Sequence, residues 1–303
     1  MAAPRITVVL ACFNNADHLE SSLCSVLDQQ YENLELIVVD GSAQDHTTAT
    51  LRHYRSEIDL WIRERCQSMA QTINMGLARA EGDIVAVMQS GDIYLHGALQ
   101  AMAETIARGA NWAIGQCQRL SEFDERLSLC EPQAPTSLAA FLRHDSGMLP
   151  GASSFWKRSI TQQLGLLDES LNHCFEYDYW CRMLAAGHKP VIVNQVMAAR
   201  REYIAEMDAQ ATLAQGREYI QIALRHAHHL SSTELYHLLR NCDRRSRIYA
   251  LAEADQRGDV TRVRRLRTLL RQPWHLMDEA IRHVVIHGRH GSAPAKPEIR
   301  PAA

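Results

Sequence analysis

The feature that most constrains this chain is an alternation of short apolar runs with amphipathic stretches over about its first 115 residues. The runs that read as strands are 5–12, 34–39, 60–62, 84–88 and 111–115. The stretches that read as helices are 18–27, 47–54, 68–80 and a segment from 96 or 97 to about 108. Such alternation favours a mostly parallel sheet with helices on both faces. The sequence therefore predicts an α/β fold.

Polar residues follow two of these predicted strands, where an open α/β sheet binds ligands. Asp40 ends the second strand and precedes Gly41, so its carboxylate can accept hydrogen bonds from a ribose or a base, or cap a turn. Ser90, Gly91 and Asp92 follow the buried run 84–88. A carboxylate there can hold a hard divalent cation that grips phosphates, or it can belong to an ordinary surface turn.

Several classes of function lose support from patterns that the sequence lacks. Neither a Gly-x-Gly-x-x-Gly motif after the first strand nor a P-loop motif is present, which disfavours classical dinucleotide and P-loop proteins. The net charge of −3 does not indicate nucleic acid as a partner. The eight cysteines form no Cys-x-x-Cys pair, so neither structural zinc nor a disulfide framework is expected. With no apolar run of about 18 residues and no signal-peptide pattern, we expect a cytoplasmic protein.

The second part of the chain carries another acidic cluster. Glu176 and Asp178 lie two residues apart in a predicted helix, 176–186, so they point in different directions and only one should face a site. The carboxylate that faces the site can act as a general base beside aromatic neighbours. Alternatively, Glu176 has only a structural role, as a carboxylate stabilised by the dipole at the helix N-terminus. Around this cluster we predict a hairpin or excursion at 116–131, a turn and extended segment at 150–156, a helix at 160–164 and a strand at 190–193.

The C-terminal third is predicted to be helical from about 207 to 287. Ser231 and Glu234 have the spacing of a capping box. Residues 244–271 hold nine arginines against three acids, interleaved with apolar residues. Such a basic amphipathic region can lie on an anionic membrane, giving a peripheral membrane contact through 244–287, or it can form a solvated helical bundle. The tail 289–303 is predicted to be disordered.

With these clusters in order, about two thirds of the chain resembles the family 2 inverting glycosyltransferases of the GT-A fold, most closely the bacterial members that build surface polysaccharides. The matching segments are 8–15 (VVLACFNN), 25–42 (SVLDQQYENLELIVVDGS), 73–84 (INMGLARAEGDI), 89–94 (QSGDIY), and 167–171 (LDESL) with 177–182 (YDYWCR). The resemblance implies a GT-A domain over 1–205, divided into a nucleotide-sugar-binding half (1–115) and an acceptor and catalytic half (116–205). A helical extension over 206–288 would follow it.

The resemblance also implies roles for single residues. Glu176 would deprotonate an acceptor hydroxyl, which then attacks the anomeric carbon with inversion. Asp92 would bind a divalent metal, Mg or Mn, that helps the nucleoside diphosphate to leave. The residues that would bind the nucleotide-sugar donor are Ala11, Phe13, Asn14, Asp40, Ser42, Gln71, Asn74, Ser90 and Gly91. The residues on the acceptor side would be Trp156, Tyr177, Asp178 and Trp180. The acceptor would be a glycan or a lipid-linked glycan, at the inner face of the cytoplasmic membrane.

Four departures from the family pattern support an alternative. Gly91 stands where the family usually has Asp, and Glu176 replaces the usual Asp base. Gln71 replaces another Asp, and Tyr203 replaces a His after the last strand. Together they favour, as the alternative, a degenerate member that binds a nucleotide sugar or a partner without catalysis. A nucleotidyltransferase is disfavoured, because no Gly-rich loop with Arg or Lys follows the first strand to hold a triphosphate.

Overall fold

The computed structural model describes residues 3–13, 17–42, 45–143, 149–202, 209–239 and 241–242. Nine strands in these residues form one sheet in the order β3-β2-β1-β4-β8-β6-β9-β5, with β7 paired to β6. The strands are β1 (Ile6–Cys12), β2 (Leu34–Asp40), β3 (Leu60–Arg63), β4 (Ile84–Gln89), β5 (Ile93–Tyr94), β6 (Trp112–Ser121), β7 (Arg126–Cys130), β8 (Ser154–Lys157) and β9 (Val191–Glu202).

The first four strands are parallel and end at one edge of the sheet. In the register of β1 with its neighbours, Cys12 lies opposite Asp40 of β2, and Ala11 lies opposite Gln89 of β4. Arg63 at the end of β3 lies beside Asp40. The second half of the sheet is mixed, because β8 is antiparallel to both β4 and β6, and β5 is antiparallel to β9. The predicted α/β fold is confirmed, with a sheet that is parallel over its first four strands and mixed beyond them.

Helices cover both faces of this sheet. They are α1 (Leu19–Leu27), α2 (Asp45–His53), α3 (Met69–Leu77), α4 (Ala98–Ala107), α5 (Leu138–Arg143), α6 (Arg158–Leu164), α7 (Phe175–Ala185) and α8 (Ala209–Arg225), with short 3-10 turns at Arg55–Glu57, Gly151–Ser153 and Ala227–His229. Successive residues of a strand point to opposite faces. Val8 and Leu10 of β1 accordingly pack with α1, α2 and α4, whereas Val9 packs with α3, α5, α7 and α8.

Helix α8 belongs to the same hydrophobic core as α7. Tyr219, Ile222 and Ala223 of α8 are buried in the cluster that contains Tyr177 and Trp180 of α7. The apolar packing therefore continues across residue 205, where the sequence predicted the catalytic domain to end. The division into domains stays a prediction, and most of the proposed extension and the whole tail 289–303 lie outside the described residues.

The predicted elements agree with the observed ones except at three places. The last strand is twelve residues long, because β9 continues to Glu202 along β6. The two-residue strand β5 was not predicted. Helix α5 was also not predicted. The capping box is confirmed, since Glu234 Oε2 accepts the N–H of Ser231 at 2.9 Å. In the part of the chain that is described, no helix is long and apolar enough to span a membrane.

Candidate active site

Asp40 lies at the floor of the edge where β1, β2 and β4 end. Its side chain is fully buried, and its Oδ2 accepts a hydrogen bond from Thr47 Oγ1 at 2.7 Å and lies 3.8 Å from Arg63 Nε. The next residue, Gly41, packs against α3 so closely that a Cβ there would lie 2.3 Å from Thr72 Oγ1. The absence of a side chain at Gly41 thus lets the turn after β2 approach α3, and this turn lines the edge.

The turn after β4 is fixed by bonds from two sides. Gly91 has φ +105°, and its N–H donates to Ser22 Oγ at 2.9 Å while its carbonyl accepts from Arg201 Nη1 at 3.0 Å. Ser22 Oγ also donates to the carbonyl of Asp92 at 2.7 Å. Because residues other than glycine are strained at this φ, the backbone conformation favours Gly91 over the acid that the family usually has there.

Asp92 gives this turn its carboxylate. Oδ2 accepts the N–H of Gln89 at 3.1 Å, and the residue is 4% exposed. Among the residues that the structure describes, no three His, Cys, Asp or Glu side chains come together to hold a metal ion. Mg²⁺ and Mn²⁺ accept carboxylate oxygens and keep several water or phosphate ligands. The carboxylate of Asp92 therefore fits a cation that would take most of its other ligands from a diphosphate and water.

Glu176 reaches the same edge from the first turn of α7. Its Oε1 lies 3.4 Å from Gln89 Nε2 and its Oε2 lies 3.4 Å from Arg200 Nη1. The side chain is 24% exposed, so the carboxylate is held by two partners and still reaches solvent. On its other side Glu176 lines a small cavity of about 10 Å³ with Phe175, Tyr179 and other apolar residues. The structure thus brings together the end of β4, the base predicted from the sequence and a guanidinium.

Two arginines at the end of β9 bring positive charge to this edge. Ala199 pairs with Ile93 in the antiparallel register of β9 with β5, so Arg200 and Arg201 follow opposite the turn at Gly91 and Asp92. The Arg201 side chain is 2% exposed and links the carbonyl of Gly91 to Asp124 in the β6–β7 turn. Arg200 is half-buried and pairs with Glu176. Neither arginine was predicted to have a role, because the last strand was predicted to end at 193, before both of them.

The predicted donor-binding residues separate into those at this edge and those inside the fold. Phe13, Ser42 and Gln71 are half-buried beside the ends of β1 and β2 and at the start of α3. Ala11 is fully buried inside β1, and its carbonyl accepts the N–H of Ser90 at 2.9 Å. Asn14 lies outside the described residues.

Asn74 has a structural role instead of a direct contact with a donor. It is buried, and its side-chain amide exchanges two hydrogen bonds of 2.9 Å with the backbone of Leu167 and donates to Glu169 at 3.0 Å. These bonds use its donor and acceptor groups to tie α3 to the segment after α6. The prediction that its side chain binds the donor is therefore not favoured by the structure.

The four residues predicted to face the acceptor are buried. Trp156, Tyr177 and Trp180 are each 2% exposed, and Asp178 is 1% exposed. The Trp156 indole donates to Thr161 and the Trp180 indole donates to the carbonyl of Leu149. Side chains this deeply buried offer almost no surface to an acceptor, although Trp156 and Trp180 line the small cavity beside Glu176, so their acceptor role stays a prediction. Large aromatic side chains bury the most apolar area, which explains why they occupy the core behind the site.

Asp178 forms a buried ionic cluster between α7 and α8. Its carboxylate lies 2.9 Å from Arg182 Nε, 3.4 Å from Arg225 Nη1 and 3.4 Å from His226 Nε2. Burial alone would raise the pKa of Asp178, but the contacts with His226 and Arg182 outweigh it and lower the pKa below its ordinary value. Glu176 and Asp178 therefore point in different directions, and only Glu176 faces the edge.

The comparisons with known proteins agree with this geometry. The sequence model described as "Glycosyl transferase family 2" matches residues 7–164. An uncharacterized glycosyltransferase of Rickettsia prowazekii is 20% identical over 210 residues, which are 65% of this chain and 66% of that protein. A Campylobacter jejuni protein, GalNAc(5)-diNAcBac-PP-undecaprenol beta-1,3-glucosyltransferase, is 27% identical over 118 residues, which are 38% of each chain. The chain thus spans about two thirds of the first relative and less of the second.

Solved structures share the fold at low sequence identity. TarS of S. aureus, residues 1–349, superposes with a TM-score of 0.62 at 13% identity, covering 96% of this chain and 93% of that one. Its complex with UDP-GlcNAc superposes with a TM-score of 0.57 at 13% identity and the same coverage. The mannosyltransferase PcManGT of Pyrobaculum calidifontis, in complex with GDP-Man and Mn²⁺, has a TM-score of 0.57 at 18% identity, covering 94% and 87%. The fold is therefore GT-A, with helices following the sheet.

Proposed function

The chain belongs to glycosyl transferase family 2, and we propose that it transfers a sugar from a nucleotide-sugar donor to a hydroxyl of a glycan or lipid-linked glycan, with inversion at the anomeric carbon. The observation that carries this proposal is the placement of the Glu176 carboxylate. It lies beside Gln89, at the end of β4, and beside Arg200, next to the turn at Gly91 and Asp92. The proposed general base and the proposed diphosphate site would thus share one edge of the sheet.

The donor would lie along the carboxyl edge of the sheet. Its nucleoside would contact Phe13 and Ser42, where the turn after β2 meets α3, with the buried carboxylate of Asp40 at the floor of this edge. Its diphosphate would lie at the turn after β4, within reach of Arg200. A guanidinium offers a planar pair of donors that match phosphate oxygens, so Arg200 suits this contact. The complexes of structural neighbours with UDP-GlcNAc and GDP-Man support a nucleotide-sugar donor.

In the transfer step Glu176 would accept the proton of the acceptor hydroxyl. The hydroxyl oxygen forms a bond to the anomeric carbon while the bond from that carbon to the diphosphate oxygen breaks on the opposite face. The nucleoside diphosphate leaves with the electron pair of the broken bond. Gln89 and Arg200 hold the two carboxylate oxygens of Glu176, which fixes the direction from which the hydroxyl must approach.

A divalent cation, Mg²⁺ or Mn²⁺, would be held by Asp92 together with diphosphate oxygens and water. When bound, it would neutralise charge that develops on the leaving diphosphate. Since the donor supplies most of these ligands, Asp92 by itself should bind the cation weakly.

The first experiment is a thermal-shift titration of the full chain with UDP, GDP and dTDP, each with and without Mn²⁺, and with Mn²⁺ alone. A ligand that binds only the folded state raises its melting temperature. We expect one nucleotide to raise it in the presence of Mn²⁺, less shift in Asp92→Ala, and no shift with Mn²⁺ alone. Transfer from the matching sugar nucleotide should then fall at least 100-fold in Glu176→Gln. Absence of any nucleotide-dependent shift would contradict a nucleotide-sugar site.

Gly91 favours a second candidate function, a protein that binds a nucleotide sugar without transferring the sugar. The turn after β4 holds one carboxylate where the family usually has two, and its φ at Gly91 disfavours another side chain. A nucleotide-dependent thermal shift with no transfer or hydrolysis of any matching sugar nucleotide would support this candidate over the first.

The acceptor and the membrane contact are also proposals. The name of the Campylobacter relative describes action on an undecaprenol-linked glycan, which supports testing lipid-linked acceptors. The basic region 244–287, which lies outside the described residues, would hold the protein at the inner face of the membrane. Co-sedimentation with anionic vesicles should be stronger for the full chain than for a chain ending at 243. Equal absence of both from the pellet would contradict the contact.

A further inference from the structure

One carboxylate of α8 binds the backbone that leads into α7. Glu218 Oε1 accepts the N–H of Asn172, and Oε2 accepts the N–H groups of His173 and Cys174, each at 2.9 Å. Three consecutive backbone donors thus share one side chain that is 44 to 46 residues away in sequence. Cys174 is the N-cap of α7 and offers no side-chain cap of its own.

The start of a helix is a favourable place for such a carboxylate. The first N–H groups of a helix have no partner within the helix, and the helix dipole concentrates positive charge there. Hydrogen bonds to an ionised acceptor are stronger than those between neutral groups. Glu218 therefore fixes the position of the chain at Cys174, two residues before Glu176.

Glu218 can do this because α8 itself is firmly packed against α7. Tyr219, the residue after Glu218, stacks on Tyr177 of α7 with ring centroids 4.5 Å apart. The Tyr219 hydroxyl donates to the carbonyl of Leu142 at 3.1 Å. At the end of α8, Arg225 pairs with Asp168 at 2.7 Å. The carboxylate of Glu218 is thus presented from a helix anchored at the next residue, Tyr219, and at its C-terminal end by Arg225.

We propose that Glu218 is a positioning residue for the reaction and acts through Glu176. This inference rests on the proposed function, in which Glu176 is the general base. Glu176 lies in the first turn of α7, so a displacement of residues 172–174 moves its carboxylate relative to Gln89 and Arg200. Displacements of about 1 Å can lower the rate of an enzyme about 100-fold. Glu218 lies after the segment 7–164 that matches the family, so that match does not assign a role to Glu218.

The test is a double-mutant cycle in the full chain, with kcat measured at saturating donor and acceptor for the unmodified protein, Glu218→Gln, Glu176→Gln and the double variant. In Glu218→Gln the new amide offers one acceptor oxygen in place of two, so we expect kcat to fall about tenfold. We expect the donor KM and the nucleotide-dependent thermal shift to stay unchanged. In the Glu176→Gln background the same substitution should change the residual rate less than twofold, because its effect passes through Glu176.

Two further variants complete the design. Glu218→Asp keeps the charge with a shorter side chain and should retain more activity than Glu218→Gln, which keeps the test usable if the amide folds poorly. Gln221→Ala changes an exposed residue of the same helix and should leave kcat unchanged. Equal losses from Glu218→Gln in both backgrounds, or no loss in either, would overturn the proposal. An unchanged kcat in Glu176→Gln would instead overturn the base assignment in the proposed function.

Discussion

The carboxylate of Glu176 fills the space that a side chain at Gly151 would need. A Cβ at Gly151 would lie 2.1 Å from Oε1 and 2.3 Å from Cδ of Glu176. Gly151 is not among the described residues with positive φ, so its backbone conformation does not require glycine. The requirement comes from Glu176, which means that the 3-10 turn at Gly151–Ser153 forms one wall of the position where the base lies.

The substitution Gly151→Ala should lower kcat at least tenfold with little loss of stability. The added methyl group would displace the end of a flexible side chain, which is energetically cheap, but the carboxylate would leave its position between Gln89 and Arg200. Steady-state kinetics and urea unfolding would measure the two effects. Gly82→Ala is the matched control. Its added Cβ would lie 2.6 Å from the backbone nitrogen of Thr7, which cannot move easily, so this substitution should lower the stability. A fully active Gly151→Ala would contradict the placement of Glu176.

Restoring the family's usual acid at position 91 should not create a better metal site. Gly91 has φ +105°, where a side chain costs roughly 1–2 kcal/mol. We therefore expect Gly91→Asp to lower the free energy of unfolding by about that amount, measured by urea unfolding, without stronger Mn²⁺ dependence of nucleotide binding. Gly91→Ala, which adds strain without charge, is the control. A higher affinity for Mn²⁺ in Gly91→Asp than in Gly91→Ala would show that the turn can accommodate an acid.

Asp178 should make the packing of α7 against α8 sensitive to acid. Its pKa is lower in the folded protein than its ordinary value of 3.8, so the folded state binds fewer protons than the unfolded state. The stabilisation is therefore complete above about pH 3.8 and is lost as the pH falls through the folded pKa.

We expect Asp178→Asn to lower the free energy of unfolding at pH 7 by about 1.5–3 kcal/mol, since the buried amide no longer offers a charged acceptor to Arg182 and Arg225. The difference from the unmodified protein should shrink below about pH 3.8. Asp168→Asn, at a more exposed pair with Arg225, should cost less than about 1 kcal/mol. Urea unfolding between about pH 3 and 7 would measure both. A difference for Asp178→Asn that is constant with pH would contradict the ionic role.

The sequence predicted the edge of the sheet well because local signals determine it. The apolar runs before Asp40 and Ser90 locate the strand ends, and parallel strands bring those ends together. The two-residue spacing of Glu176 and Asp178 also predicts that they face different ways, as observed. The burial of the aromatic residues near Glu176 was not predicted, because sequence proximity to a site does not reveal which side of a helix is buried.

Other parts of the site depend on contacts between distant segments and could not be predicted. Glu218 reaches backbone groups more than 40 residues earlier in the chain, and backbone N–H groups leave no mark in a sequence. Asn74 bonds to Leu167, 93 residues away. Arg200 meets Glu176 because β9 continues along β6 and also pairs with β5, and a strand as short as β5 gives no periodic signal.

Arg200 should contribute to both donor binding and catalysis, because it can contact the diphosphate and pairs with Glu176 at 3.4 Å. We expect Arg200→Gln to weaken nucleotide binding about 10- to 100-fold, the range that corresponds to losing a hydrogen bond of about 1.5–3 kcal/mol to a charged group. Its kcat should fall as well, since Glu176 loses one of its two partners.

Arg119→Gln is the matched control. Arg119 lies beside Arg200 in the register of β6 with β9, but it pairs with Glu202. Isothermal titration with the nucleotide identified by thermal shift would measure the affinities. Equal affinities in Arg200→Gln and Arg119→Gln would show that the positive charge at this edge serves only to hold Glu176.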